Sequence, residues 1–151
     1  VANFVYNTGK GKVARYCDLP ATGDKIGLLV LATSGIEADA VLIDKATVAA
    51  VLSGTTNEVT NSGYARKGVT ADIVVTIDTA NDRTDVDITT DPTWTTVAAG
   101  DGFNDVVIYY DPDGSDTDAT NVPMTQHDFV VVPDGSDITA QIATAGFFRA
   151  S

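Results

Sequence analysis

The chain has 151 residues, 44% of them hydrophobic and 20% charged, with nine Lys or Arg against 21 Asp or Glu and a net charge of -12. That length supports one domain with its own core and leaves no room for a second. No run approaches the roughly 20 apolar residues of a membrane span, and so acidic a surface repels phosphate backbones and anionic lipid, which excludes a membrane anchor and direct nucleic-acid binding.

Residues 1–16 carry Gly9 and Gly11, with apolar or aromatic positions at Phe4, Tyr6, Val13 and Tyr16 and no helical period. They read as an extended arm or edge strand ahead of a single domain over residues 17–151. After the turn-like Pro20-Ala21-Thr22-Gly23-Asp24, the apolar run 26–31 has the length of a fully buried strand, expected near the centre of a sheet. Val41, Leu42, Lys45, Val48, Ala49 and Leu52 then fall on one face of a 3.6-residue repeat, which predicts a short amphipathic helix capped by Asp39 or Asp44 and stopped at Gly54.

From residue 55 onward the pattern is that of strands. Residues 63–70 suit pleated backbone, and Ile73, Val75 and Ile77 alternate with polar or β-branched neighbours to give one core-facing row. Val86 and Ile88 alternate with Asp85, Asp87 and Thr89, and the polar stretch 79–84 joins the two as an antiparallel hairpin. Trp94 follows Pro92 and starts another strand or packs at a rim, and residues 106–110, 129–132 and 138–142 complete the set. Nineteen of the 21 acids are Asp, a turn-forming bias. Short strands, one helix and Asp-rich turns predict a mainly β protein, an antiparallel β-sandwich with one short α-helix, for which a jelly roll is one available form.

The residues for chemistry are sparse. A single Cys17 forms no internal disulfide, fits assembly in a reducing cytoplasm and reads as a small buried hydrophobe. His127 and Asp128 are strand neighbours and point to opposite faces, so they do not form a catalytic pair. Gly9-Lys10-Gly11-Lys12 lacks the spacing of a phosphate loop, and Asp85 with Asp87 reads as a solvated sheet face. No catalytic residue and no cofactor is expected. Asp111, Asp113, Asp116 and Asp118 bring enough carboxylates into one loop to make them weak calcium candidates, although the EF-hand positions are not met and a solvated Asp-Gly hairpin tip is the favoured reading of the loop. Lys10, Lys12 and Arg15, with Arg66 and Lys67, either dock an acidic partner or balance nearby Asp residues.

The strings Gly63-Tyr64-Ala65-Arg66-Lys67, Asn81-Asp82-Arg83-Thr84-Asp85-Val86-Asp87, His127-Asp128-Phe129, Asp134-Gly135-Ser136-Asp137 and Gly146-Phe147-Phe148-Arg149-Ala150-Ser151 occur in this order. Together with Thr47-Val48-Ala49-Ala50-Val51-Leu52, the chain resembles small virion proteins of tailed bacteriophages. The resemblance implies a structural role: a capsid decoration or cement protein, made in the host cytoplasm and seated on the capsid exterior. Its implied partners are the major capsid protein and further copies of itself, with a trimer as the expected oligomer. Under that expectation both chain ends reach over neighbouring subunits, the alternative being that both pair as strands within their own domain. Phe4, Tyr6, Phe147 and Phe148 then serve as aromatic anchors, accompanied by Lys10, Lys12, Arg15 and Arg149. A tail, collar or fibre component has the same local physics. An extracellular glycan- or calcium-binding module built on Trp94, Tyr109, Tyr110 and the Asp-rich loop is the other rival.

Overall fold

Two buried apolar clusters, one on each face of a central sheet, organise the computed structural model, which describes residues 2–151; Val1, part of the expected arm, lies outside the described residues. The protein is mainly β, with antiparallel sheets in a sandwich-like arrangement and three short helices. In chain order the elements are β1 (Phe4–Val5), α1 (Val13–Cys17), β2 (Lys25–Ala32), α2 (Asp39–Leu42), α3 (Val48–Val51), β3 (Lys67–Val69), β4 (Ile73–Asp78), β5 (Arg83–Ile88), β6 (Thr93–Trp94), β7 (Phe103–Asp111), β8 (Val122–Val131), β9 (Ile138–Thr139) and β10 (Phe148–Ala150). No helix among the described residues is long and apolar enough to cross a membrane.

The central sheet runs β1-β8-β7-β2-β3 and is antiparallel throughout. One of its faces packs against two smaller sheets, β10-β5-β4 and β6-β9. Because strand side chains alternate, β2 sends Ile26, Leu28 and Val30 to that side and Leu29 and Leu31 to the other. That is why the run 26–31 is apolar without alternation: both faces are covered. It lies beside the middle strand, β7, rather than at the centre.

The expected hairpin of β4 and β5 forms, with Ile73 opposite Ile88 and Val75 opposite Val86. Ile77, however, extends past the core and is 75% exposed. Trp94 reaches the middle of the first core, where its indole N–H donates to the Ala65 carbonyl at 2.7 Å. β8 is longer than the 129–132 segment expected from apolar residues alone, because its first half is built from Pro123, Thr125 and Gln126.

The expected helix over 41–52 is two separate turns. Thr47 is extended, at φ -138° and ψ 160°, and its hydroxyl accepts from the Ala50 N–H, so a β-branched residue inside the expected helix caps a second one instead. Neither Asp39 nor Asp44 caps; Ala38 precedes the first turn without a side-chain bond. Gly54 does occupy the left-handed region, at φ +90°. Leu42, Val48 and Val51 remain buried with Tyr6, Leu29, Leu31, Val107 and Tyr109, so the segment covers the second face of the central sheet as a broken strap.

Candidate functional site

The two chain ends meet at one open end of the sandwich. β1 pairs with β8, Phe4 opposite Gln126 and Val5 opposite Thr125, and the Asn3 side-chain oxygen accepts from the Asp128 N–H at 2.8 Å. From the other direction, residues 140–147 cross as irregular chain before β10 pairs with β5, Phe148 opposite Val86 and Arg149 opposite Asp85. Between them lies a groove of about 460 Å³, with Leu28, Val106 and Ile108 among its lining, Phe147, Phe148 and Arg149 on one side and β1 on the other; Val5 faces it, while the Phe4 ring turns to the second core, edge-on to Tyr6 at 5.1 Å. Three of the residues expected at an interface, Phe147, Phe148 and Arg149, thus meet the N-terminal strand at one groove, and the expected anchor Phe4 is corrected, since its ring packs on the other face.

A glycine sets this geometry. Gly146 has φ +82°, and a β-carbon there would lie 2.1 Å from the Val86 carbonyl oxygen. The turn it makes lets the Phe147 N–H reach that same oxygen at 2.9 Å. Gly146→Ala is expected to detach the last residues from β5 while the rest of the fold persists, at a cost of about 1–2 kcal/mol. Hydrogen exchange checks it: amides 147–150 lose protection and those of β7 keep theirs, whereas unchanged tail protection contradicts the assignment.

The groove is apolar with a few polar groups. His127 shares an edge-to-face contact with Phe147, ring centroids 6.3 Å apart, and its Nε2 is hydrogen-bonded to the Thr125 hydroxyl at 2.9 Å. Burial lowers the imidazole pKa below its ordinary value, which favours the neutral ring at pH 7. Asp128 faces the opposite side of β8, paired with Asp105, as strand alternation requires. Arg149 is held by Asp85, its Nε donating to the carboxylate at 2.6 Å. The groove therefore offers aromatic and aliphatic surface with one neutral imidazole, a setting suited to receiving apolar side chains.

The other expected site residues lie elsewhere. Tyr6 is no external anchor: it is fully buried in the second core, and its hydroxyl donates to Gln126. Of the two forms expected for residues 1–16, the edge strand is found and the free arm is not: Phe4 and Val5 pair with β8 at the sheet edge, and the chain then turns into α1, which places Val13 and Cys17 in the first core. Burial pushes the Cys17 thiol up to about 12, which leaves it a protonated hydrophobe. Lys10, Lys12 and Arg15 are exposed and do not line the groove. Arg66 is clamped between Glu58 and Asp118, and Lys67 lies over the Trp94 ring at 6.0 Å.

The calcium candidates do not converge. Asp111 is fully buried, and its carboxylate accepts from the N–H groups of Gly114 and Asp116, both at 2.9 Å. Asp116 pairs with Lys25, Asp118 turns to Arg66, and Asp113 accepts from Ser115 N–H. Each acid is committed to a turn or a cation, and among the described residues no group of three or more His, Cys, Asp or Glu is placed to hold a metal ion. Tyr109 is buried too, which removes it from a glycan surface. Set against protein-family models, curated proteins and solved structures, the chain finds no match.

Proposed function

We propose that this protein is a structural component of a tailed-phage virion, a decoration protein that docks on the outer surface of the head and stabilises it through contacts with the major capsid protein. The observation that carries the reading is the groove: Phe147 and Phe148, an aromatic type enriched at interface centres, come from the C-terminal end to one open apolar site that the N-terminal strand closes on its other side with Val5. The resemblance of the ordered sequence strings to small phage virion proteins supplies the partner. Lys10, Lys12 and Arg15, exposed on an otherwise acidic molecule, supply a second place for an acidic neighbour. A shell multiplies such contacts over many copies, so each site can be modest in affinity.

Sedimentation with purified capsids that lack the protein tests the proposal. Saturable binding at hundreds of copies per particle is expected, with Phe147→Ala weakening it at least tenfold while the melting profile is kept. A stoichiometry of six or twelve moves the protein to the tail or neck. Absence of co-sedimentation overturns the reading.

A further inference from the structure

Among the described residues most sheet edges are guarded, and one is not. Sheets end safely when their edges are very short, carry Lys or Arg, or are covered. β1, β6 and β9 are two residues long; β3 and β10 are three residues long and carry Lys67 and Arg149. β4 is the outer strand of the β10-β5-β4 sheet, six residues long and regularly paired with β5 over its whole length. Its first five residues, Ile73-Val74-Val75-Thr76-Ile77, are all β-branched, with no charge, proline or glycine. Val74 is 44% and Ile77 75% exposed. Among the described residues, no backbone hydrogen bond outside the β5 ladder reaches residues 73–77. In an antiparallel ladder alternate residues turn their N–H and C=O groups outward, so β4 presents a row of free donors and acceptors.

We propose that β4 is a strand-addition site for an extended segment of another protein, one with a β-branched or apolar centre and basic residues at its ends. Charge selects that occupant. Asp72 and Asp78 bracket the apolar run, and an open depression beside Ile77 is lined by Asp78, Asp82 and Arg83; Arg83 pairs with Asp78 at 3.2 Å, which leaves Asp72 and Asp82 as the acids near the strand ends without an ion pair among the described residues. On the outward face Val74 and Thr76 stand next to Asp87 and Asp85 of β5; Asp85 is paired with Arg83 and Arg149, and Asp87 has no ion pair among the described residues. Addition of the strand supplies main-chain hydrogen bonds, and Lys or Arg at its ends meets the acids. A second copy of this chain fits less well: antiparallel pairing centred on Val75 sets Asp72 against the copy's Asp78 at both ends, between molecules of charge -12. This site is separate from the groove and does not depend on the capsid reading.

The probe is a synthetic heptapeptide of alternating valine and threonine with lysine at each end, added to the full chain and followed by amide NMR shifts and hydrogen exchange. Saturable changes and new protection confined to residues 72–78 are expected. Binding should fall at least tenfold when the terminal lysines become glutamates or when proline replaces the central residue. Val74→Lys with Ile77→Lys, both at exposed positions, should remove binding and leave the melting temperature unchanged. Changes centred on the groove, equal binding of the proline peptide, or no binding at millimolar peptide each overturn the proposal. Dimerisation in light scattering that the lysine variants abolish does so as well, in favour of a second copy. Capsid sedimentation of the lysine variants beside Phe147→Ala keeps the two sites distinguishable.

Discussion

Replacing Gly27 by alanine is expected to destabilise the fold by about 4 kcal/mol, more than any other single-methyl change in the central sheet. Gly27 sits in the interior of β2, directly opposite Tyr109 of β7, and the tyrosine ring lies across the bare backbone. A β-carbon there would stand 2.1 Å from Tyr109 Cζ and 2.4 Å from Cε2, inside any permitted contact. The ring has nowhere to go. Tyr109 is fully buried in the second core with Leu29, Leu31 and Val107 around it, and the Arg66 guanidinium lies 5.9 Å from its centroid. Glycine weakens a strand on its own account, so its presence here marks the close approach of an aromatic side chain. Chemical denaturation of Gly27→Ala, Tyr109→Leu and the double variant measures the coupling: the double variant should be at least ~1.5 kcal/mol more stable than the two single losses predict by addition. Strict additivity, or a loss below ~1 kcal/mol for Gly27→Ala, contradicts the packing described.

Gly27 also shows where the sequence was legible. Within the run 26–31 it is one glycine among large apolar residues, and the run alone identifies a strand buried on both faces. That this glycine accommodates Tyr109 depends on register, which hydrophobic pattern does not specify for a strand with two apolar faces. The β4-β5 hairpin was readable for the opposite reason, since Ile73 and Val75 face Ile88 and Val86, with Asp85 and Asp87 alternating along β5 and Asp72 and Asp78 bounding β4. The segment 41–52 carries a helical period in its buried residues, yet Thr47 competes for the backbone through its own hydroxyl and divides the segment. The groove was half legible. The Phe147-Phe148 pair stands out as terminal aromatics, but the groove requires β1 on β8 and β10 on β5, pairings between residues far apart in the chain, and those pairings turn Val5 rather than Phe4 towards it. Tyr6 misleads because, two residues from Phe4, its neighbour Gln126 gives its hydroxyl a buried partner.

Asp105→Asn is expected to stabilise the protein at neutral pH, by about 2 kcal/mol, and to do so only there. Asp105 is fully buried on β7, with one carboxylate oxygen accepting from the Asn104 amide at 2.9 Å and the other without a partner. Burial first, then the nearby carboxylates of Asp128 and Asp39, raise its pKa to about 6. The unfolded chain ionises this group near the ordinary aspartate value, about 3.9. Below that pH both states are protonated and the contribution is intact. Between about 4 and 6 the unfolded state gives up its proton first, so stability drains away as pH rises through the folded value, and at pH 7 the buried charge is carried in full. Asparagine keeps an oxygen for Asn104 and cannot ionise. For a domain of this size the gain corresponds to roughly 6 °C in melting temperature at pH 7.5, shrinking to nothing below pH 4. A series of melting curves across that range checks the sign as well as the size: an equal effect at every pH assigns the change to packing, and a loss at pH 7.5 shows that Asp105 holds a stabilising charge after all. The oxygen without a partner is what makes stabilisation confined to neutral pH the expected result, because a buried carboxylate with only one donor is held at a deficit that its neutral isostere removes.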